Sequence, residues 1–370
     1  MSTIPNPFDQ LQVRRRAEAK TFLEAHPEIG SKLVPPESDP TSREEDGHEE
    51  NNGSKWPAPL ASQAFHGIAG AIVHAIEPHT EADPAALLIQ FLVGFGNLIG
   101  PRAYTTVEAD RHGCNLFAAI VGVSAKGRKG TSWGHCRRVL DNVDTAWTNE
   151  RIQGGLSSGE GLVWAVRDPI EKQEPVRDGK QITGYQTVKV DAGVSDKRLL
   201  IVESELASAL RVMGREGSTL SPLIRQAWDT GDLRVLTKNS PAKATGAHIS
   251  IIGHITRDEL LRFLSSTETA NGFANRFLWV CARRSKLLPE GGRIHDVDLS
   301  SIIQRLTNAV SAGQSAGELS RDETARKIWR RVYPVLSDGK TGMFGSATSR
   351  AEAQVLRLAL VCFAGQSTGY

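Results

Sequence analysis

Asn115-Leu-Phe-Ala-Ala-Ile-Val-Gly-Val-Ser-Ala-Lys-Gly-Arg-Lys-Gly-Thr-Ser132 is the stretch on which the fold turns. Every residue from Leu116 to Val121 is apolar, as expected of a strand covered on both faces in a parallel sheet. Gly122, Gly127 and Gly130 then break the strand, interleaved with Lys126, Arg128 and Lys129. Helical spacing resumes from Trp133 to about Thr148. The same alternation continues downstream. Ile152 to Leu156 is a short strand and Glu160 to Val166 starts a helix. Leu199 to Val202 is a buried strand, followed by a helix at Leu206 to Met213. Further strands run at His248 to Gly253 and Phe277 to Ala282. Alternating strands and helices predict an α/β fold with a mostly parallel central sheet and crossover helices.

Upstream, residues 62–77 carry helical spacing through Phe65, Ile68, Ile72 and Ile76. Asp83 caps a helix with Pro84 at its first position. That helix, Pro84 to Ile99, is the most apolar stretch, but it is shorter than a bilayer span and contains Gln90 and Asn97, so it reads as buried. A strand is expected at Ala103 to Val107, and a hairpin at 170–197 with its turn at Asp178-Gly179. Helical pattern returns from Leu299, and Ala351 to Phe363 is apolar at helical spacing with no partner in sight, which suggests a truncated segment. The expected organisation is a disordered tail at 1–55, a helical lead-in at 56–110, the α/β core at 111–290 and a helical C-terminal segment at 291–370. The tail holds Arg14, Arg15 and Arg16 and a run of Glu and Asp, too polar to order itself. The triple arginine could touch nucleic acid, but reads better as a solvated face.

The 370 residues have a formal net charge of +2, which does not announce a nucleic-acid binder but leaves room for a local basic groove. Cys114, Cys136, Cys281 and Cys362 form no CxxC pair and read as reduced thiols. With no basic and apolar leader at MSTIPNPFDQ, the expected compartment is the cytoplasm.

A glycine-rich loop between a buried strand and a helix is the setting of a phosphate-binding loop, where backbone N–H groups and the helix N-terminus face an anion. The match to G-x-x-x-x-G-K-[ST] is imperfect. Counting from Gly122 places Gly127 correctly but puts Arg128 at the lysine position. Counting from the far end places Gly130 and Ser132 but puts Thr131 there. Lys126 or Lys129 must then supply the charge. Lys129 is favoured, with Thr131 or Ser132 on Mg²⁺ and Ser124 within the cradle. ATP hydrolysis also needs a metal-organising acid and a group that positions water. Glu203 ends the strand Leu199-Leu-Ile-Val-Glu, and Glu205 follows two residues later as a water-polarising candidate. Glu160, in Ser157-Ser-Gly-Glu-Gly161, competes for that second role. His254 and Thr256 would reach the phosphate edge if their strand lies beside the acidic one. Arg276, at the start of the strand from Phe277, is a candidate arginine finger toward a neighbouring subunit, with Arg283 and Arg284 as weaker ones. Arg234, Lys238 and Lys243 could contact a nucleic-acid backbone, although no aromatic stripe accompanies them.

From Trp56 to Arg284 the chain resembles a P-loop ATPase family of unknown function found in phage, plasmid and prophage primase-helicase proteins. The likeness rests on Trp56-Pro-Ala-Pro-Leu60, Leu116 to Ser132, Ser157 to Leu162, Val202-Glu-Ser-Glu205, Trp228-Asp-Thr-Gly231, Gly253-His-Ile-Thr256 and Ala274-Asn-Arg-Phe277. That family is similar to RecA and DnaB-type hexameric motors. The resemblance implies a RecA-like P-loop core, ATP and Mg²⁺ as ligands, and assembly into a homo-oligomeric ring such as a hexamer. It also implies a helicase-like role on single-stranded or duplex DNA in replicating mobile elements. In RecA-like ATPases the water-activating Glu often follows the strand after the loop helix, the place of Glu160. Two departures stand out: Gly-Arg-Lys-Gly-Thr-Ser replaces the family's Gly-Lys-Ser, and Glu203 replaces its Asp. The competing expectations are a nucleotide-dependent DNA-binding or assembly module with little turnover, and a metabolic kinase using the same loop.

Overall fold

The strand that opens the decisive stretch, Phe117–Gly122, is buried at every position. In the computed structural model of the protein, the described residues are 56–123, 125–236 and 242–365. The tail expected at 1–55, Ser124 and Lys238 lie outside them.

Two helices lead in: α1 (Gly67–Ile76) and α2 (Pro84–Ile99). Asp83 accepts the Ala85 N–H at 2.9 Å, the expected cap. α2 buries 13 of its 16 residues, so it has no solvent face and runs through the middle of a layer. β1 (Tyr104–Val107) and β2 (Asp110–Gly113) pair with each other, and Tyr104 also bridges to Glu318, so the strand expected at Ala103 to Val107 stands apart from the central sheet. β3 (Phe117–Gly122) leads through the loop to α3 (Lys129–Asp141). The helix expected to run on to Thr148 is broken there. Asp144 accepts the Trp147 N–H at 2.9 Å and starts a new one, α4 (Thr145–Glu150). β4 (Ile152–Gln153), α5 (Gly159–Trp164) and the hairpin β5 (Ile170–Asp178) and β6 (Gln181–Asp191) follow. The hairpin turns at Gly179, whose φ of +60° suits glycine.

Next come β7 (Arg198–Glu203), α6 (Leu206–Met213), α7 (Leu220–Asp229) and the short pair β8 (Leu233–Arg234) and β9 (Lys243–Ala244). β10 (His248–Thr256), α8 (Arg257–Phe263), α9 (Ser266–Ala270) and β11 (Phe277–Cys281) complete the α/β part. The chain continues through α10 (Ser300–Ser315), α11 (Glu323–Ser337), α12 (Gly342–Thr348) and α13 (Ala351–Ala364). α7 was not anticipated from the sequence.

The central sheet has five strands in the order β11-β3-β10-β7-β4, all parallel. Side chains alternate along each strand, so each sends neighbours to opposite faces. Ala118, Leu200 and Ile252 pack with α1, α2, α3, α10 and α13. Phe117, Leu199, Ile201 and Ile251 pack with α5, α6 and α7. Helices thus cover both faces, and the described residues from Pro57 onward form one unit. α13, which lacked a visible partner in the sequence, packs Leu360 and Val361 into the α2 layer. All four cysteines are unpaired, with Cys114 and Cys136 buried. Among the described residues no helix is long and apolar enough to cross a membrane.

β3 and β10 are neighbours, yet their carboxyl ends connect to opposite faces. α3 leaves β3 for the α2 side, whereas Leu260 and Phe263 of α8 pack on the other. Such a divergence opens a crevice at the carboxyl edge of a parallel sheet, where ligands of open α/β sheets bind.

Candidate functional site

The glycine-rich loop lies at that crevice. Gly122 ends β3 beside Thr256 of β10. A 3₁₀ turn spans Ala125–Gly127, and Arg128 then takes a left-handed conformation (φ 53°, ψ 28°) just before α3 begins. A right-handed turn followed by a left-handed residue curls successive N–H groups into a concave anion nest, here backed by a helix N-terminus. Close approach explains Gly122. A Cβ there would lie 3.0 Å from the Ala282 carbonyl oxygen and 3.2 Å from Lys129 Nζ. Lys129 therefore folds its side chain back over the loop. Burial holds its ammonium below the usual pKa, partly offset by the Glu259 carboxylate. Gly127 is buried, while Lys126, Gly130 and Thr131 are exposed.

α2 reaches this site from beneath. Gln90 donates Nε2 to Ser132 Oγ at 2.5 Å and to the Ala86 carbonyl at 3.1 Å, which leaves its Oε1 facing His254 Nε2 at 2.8 Å. His254 must then carry its proton on Nε2. Burial and the nearby Lys129 push its pKa down to about 4, so it is neutral at physiological pH. Ser132 Oγ in turn donates to the Lys129 carbonyl at 2.7 Å. Ser132 is fully buried, with its hydroxyl bonded on both sides. Thr131 is the hydroxyl that remains accessible.

The acidic candidates lie along the same edge but do not converge. Glu203 is buried at the tip of β7, and its Oε1 accepts the Leu156 N–H at 2.7 Å, tying this tip to the loop after β4. With β10 between them, β7 and β3 stand about 10 Å apart. Glu205 is exposed just before α6. Glu160, in the first turn of α5 beyond the β4 edge, is exposed and accepts from Thr219 Oγ1 at 3.1 Å. Sequence reasoning missed Glu259. It forms a capping box with Thr256, accepting from its N–H at 3.1 Å and its Oγ1 at 2.8 Å. These bonds and Lys129 help hold its carboxyl below the ordinary range. The signal was present as Thr256-x-x-Glu259 directly after a buried strand. Among the described residues, no three His, Cys, Asp or Glu side chains gather to hold a metal. A nucleotide-bound Mg²⁺ takes only one or two protein ligands, the rest being phosphate and water.

Two of the candidate arginines are tied up in ion pairs within the chain. Arg128, counted toward the phosphates, turns outward to Glu81 in a 2.6 Å ion pair. Arg276 precedes β11 and so lies at the amino edge, opposite the loop. It is buried, bonded through both Nε (3.2 Å) and a terminal nitrogen (2.6 Å) to Asp229. In this chain the guanidinium is committed to Asp229 rather than presented at the surface. Trp228, Arg350 and Arg357 complete this amino-edge cluster. Arg357 is fully buried, 3.8 Å over the Trp228 ring, and donates to the Asn115 and Trp228 carbonyls. Arg283 and Arg284 follow β11 and do stand at the loop's edge. Arg234 and Lys243 lie on the β8–β9 pair.

No protein-family model matches the chain, and no curated protein matches it either.

Proposed function

We propose that this protein binds ATP with Mg²⁺ in the crevice between β3 and β10, as a RecA-like P-loop ATPase. The observation that carries this reading is the left-handed turn at Arg128, set between β3 and α3 with Lys129 folded over it. The nest and helix N-terminus suit a polyphosphate, and Lys129 would neutralise its outer oxygens. Thr131 and Glu203 would serve the metal, which when bound neutralises charge on the transferred phosphoryl group. Glu160 or Glu205 would orient water. Support also comes from β10 lying between the loop strand and the acid-tipped strand, which sets His254 and Thr256 between the two.

On this reading the protein is an oligomeric, helicase-like motor acting on DNA in the replication of mobile elements. The second reading is a nucleotide-dependent DNA-binding or assembly module with little turnover. It is favoured by Arg276 being locked to Asp229 and Ser132 being committed to Gln90. Calorimetric titration with MgATP should show binding by wild type and none by Lys129→Ala. Equal affinity in the two would refute the loop assignment. Phosphate release that rises with single-stranded DNA supports the motor; binding without release supports the module.

A further inference from the structure

Glu81 lies in the turn before α2, outside every motif singled out in the sequence, yet it joins three segments of the site. Its Oε2 takes Arg128 Nε at 2.6 Å, and Arg284 Nε lies 3.6 Å away. Its Oε1 accepts the Leu288 N–H at 2.9 Å, and its backbone carbonyl accepts the Ser285 N–H at 3.0 Å. Around it, Asp83 accepts the Arg283 N–H at 3.1 Å, and Lys286 donates to the Glu77 carbonyl at 2.9 Å. The strap after β11 is thus laced along residues 77–83, and the lacing ends on the loop at Arg128.

The conformation of Arg128 makes this more than a surface pairing. Left-handed backbone at a non-glycine residue is uncommon and strained, and such residues persist only where their surroundings hold them. Among the described residues only Glu108 and Arg128 combine a side chain with positive φ. At Arg128 the left-handed turn is what closes the anion nest. Glycine would adopt it without strain. The chain instead carries an arginine whose guanidinium is gripped from the lead-in segment.

We propose that Glu81 is a positioning residue for the phosphate site: by holding the Arg128 guanidinium it keeps the Gly127–Lys129 turn in its anion-binding shape before any ligand arrives. This rests on the loop being a phosphate site. Glu81 touches no ligand and acts only through Arg128. Its carboxyl, held below the usual range by the Leu288 N–H and Arg128, keeps the charge this grip requires.

The test is a double-mutant cycle read by MgATP titration calorimetry. Glu81→Ala and the milder Glu81→Gln should each weaken binding about tenfold in the natural background, with thermal melting confirming that the proteins are folded. In an Arg128→Gly background, where glycine adopts the turn unaided, adding Glu81→Ala should change Kd less than twofold. A purely structural role for Glu81 predicts the same loss in both backgrounds, and that result overturns the proposal. So does natural affinity in both single Glu81 variants. If Arg128→Gly alone abolishes binding, the guanidinium rather than the turn holds phosphate, and the proposal also falls. If wild type binds no MgATP, the phosphate reading itself fails. Binding by wild type together with equal losses in both backgrounds removes the Glu81 role alone.

Discussion

Arg276 and Gln90 show how differently single residues read in sequence and in space. In a parallel sheet, residues that follow a strand and residues that precede one stand at opposite edges. An arginine just before β11 is therefore at the edge opposite its own chain's loop, a deduction the strand pattern already allowed. Its partner Asp229 closes a bidentate pair with one guanidinium buried. Without Arg276, Asp229 keeps a second cation, Arg350, at 3.6 Å. Arg276→Ala should cost about 2 kcal/mol in a urea unfolding experiment, through the lost charge-assisted hydrogen bonds to Asp229, with any loss of activity following from the loss of fold. Unchanged stability with hydrolysis selectively abolished would support the finger role. Gln90 is the opposite case. Nothing about a glutamine within an apolar helix indicates that it bonds Ser132 and His254, residues far along the chain.

At the scale of elements, local signals were sufficient where the chain supplies its own caps and turns. Asp83-Pro84 starts α2, and Asp178-Gly179 opens the turn of the β5–β6 hairpin. They were insufficient where two short elements share one periodic pattern, as at the Asp144 break between α3 and α4. The hairpin is also informative about packing. None of its residues belongs to the hydrophobic clusters, and Ile182, Tyr185 and Val190 are exposed. Its base is held by the Arg167–Asp191 pair at 2.8 Å and the Lys197–Asp168 pair at 2.7 Å. Replacing residues 172–189 with a short glycine linker should therefore shift Tm by only about 2 °C, since surface changes of this kind cost about 0.5 kcal/mol. A fall of ten degrees or more would mean that the ribbon carries core stability.

For the whole molecule, the polar side of α2 couples stability to pH. Asn97 donates to the Leu199 and His248 carbonyls at 3.0 and 2.9 Å, and His248 Nε2 meets the Gly96 carbonyl at 2.9 Å. Burial pushes both His248 and His254 down to about 4 from an ordinary 6.5. Between those values the unfolded chain binds protons that the folded chain refuses, so stability is full near pH 7 and falls as pH drops toward 4. Linkage makes this on the order of 3 kcal/mol per histidine. Urea midpoints should decline steadily from pH 7 to pH 4.5; a flat profile over that range would show that these histidines titrate normally.

The sequence by itself determined the α/β alternation and the buried strand before the glycine-rich loop, because periodicity, caps and glycines act over a few residues; that Lys129 rather than Lys126 folds back toward Gly122 came from the structure. Only the tertiary structure decided the strand order, which hydroxyl stays accessible, and which carboxylates hold Arg128 and Arg276. The grip of Glu81 on Arg128 belongs to the same class. These depend on pairings across 40 or more residues, for example Arg128 with Glu81 and Ser132 with Gln90. Burial and strand order set such pairings, and no local pattern encodes them.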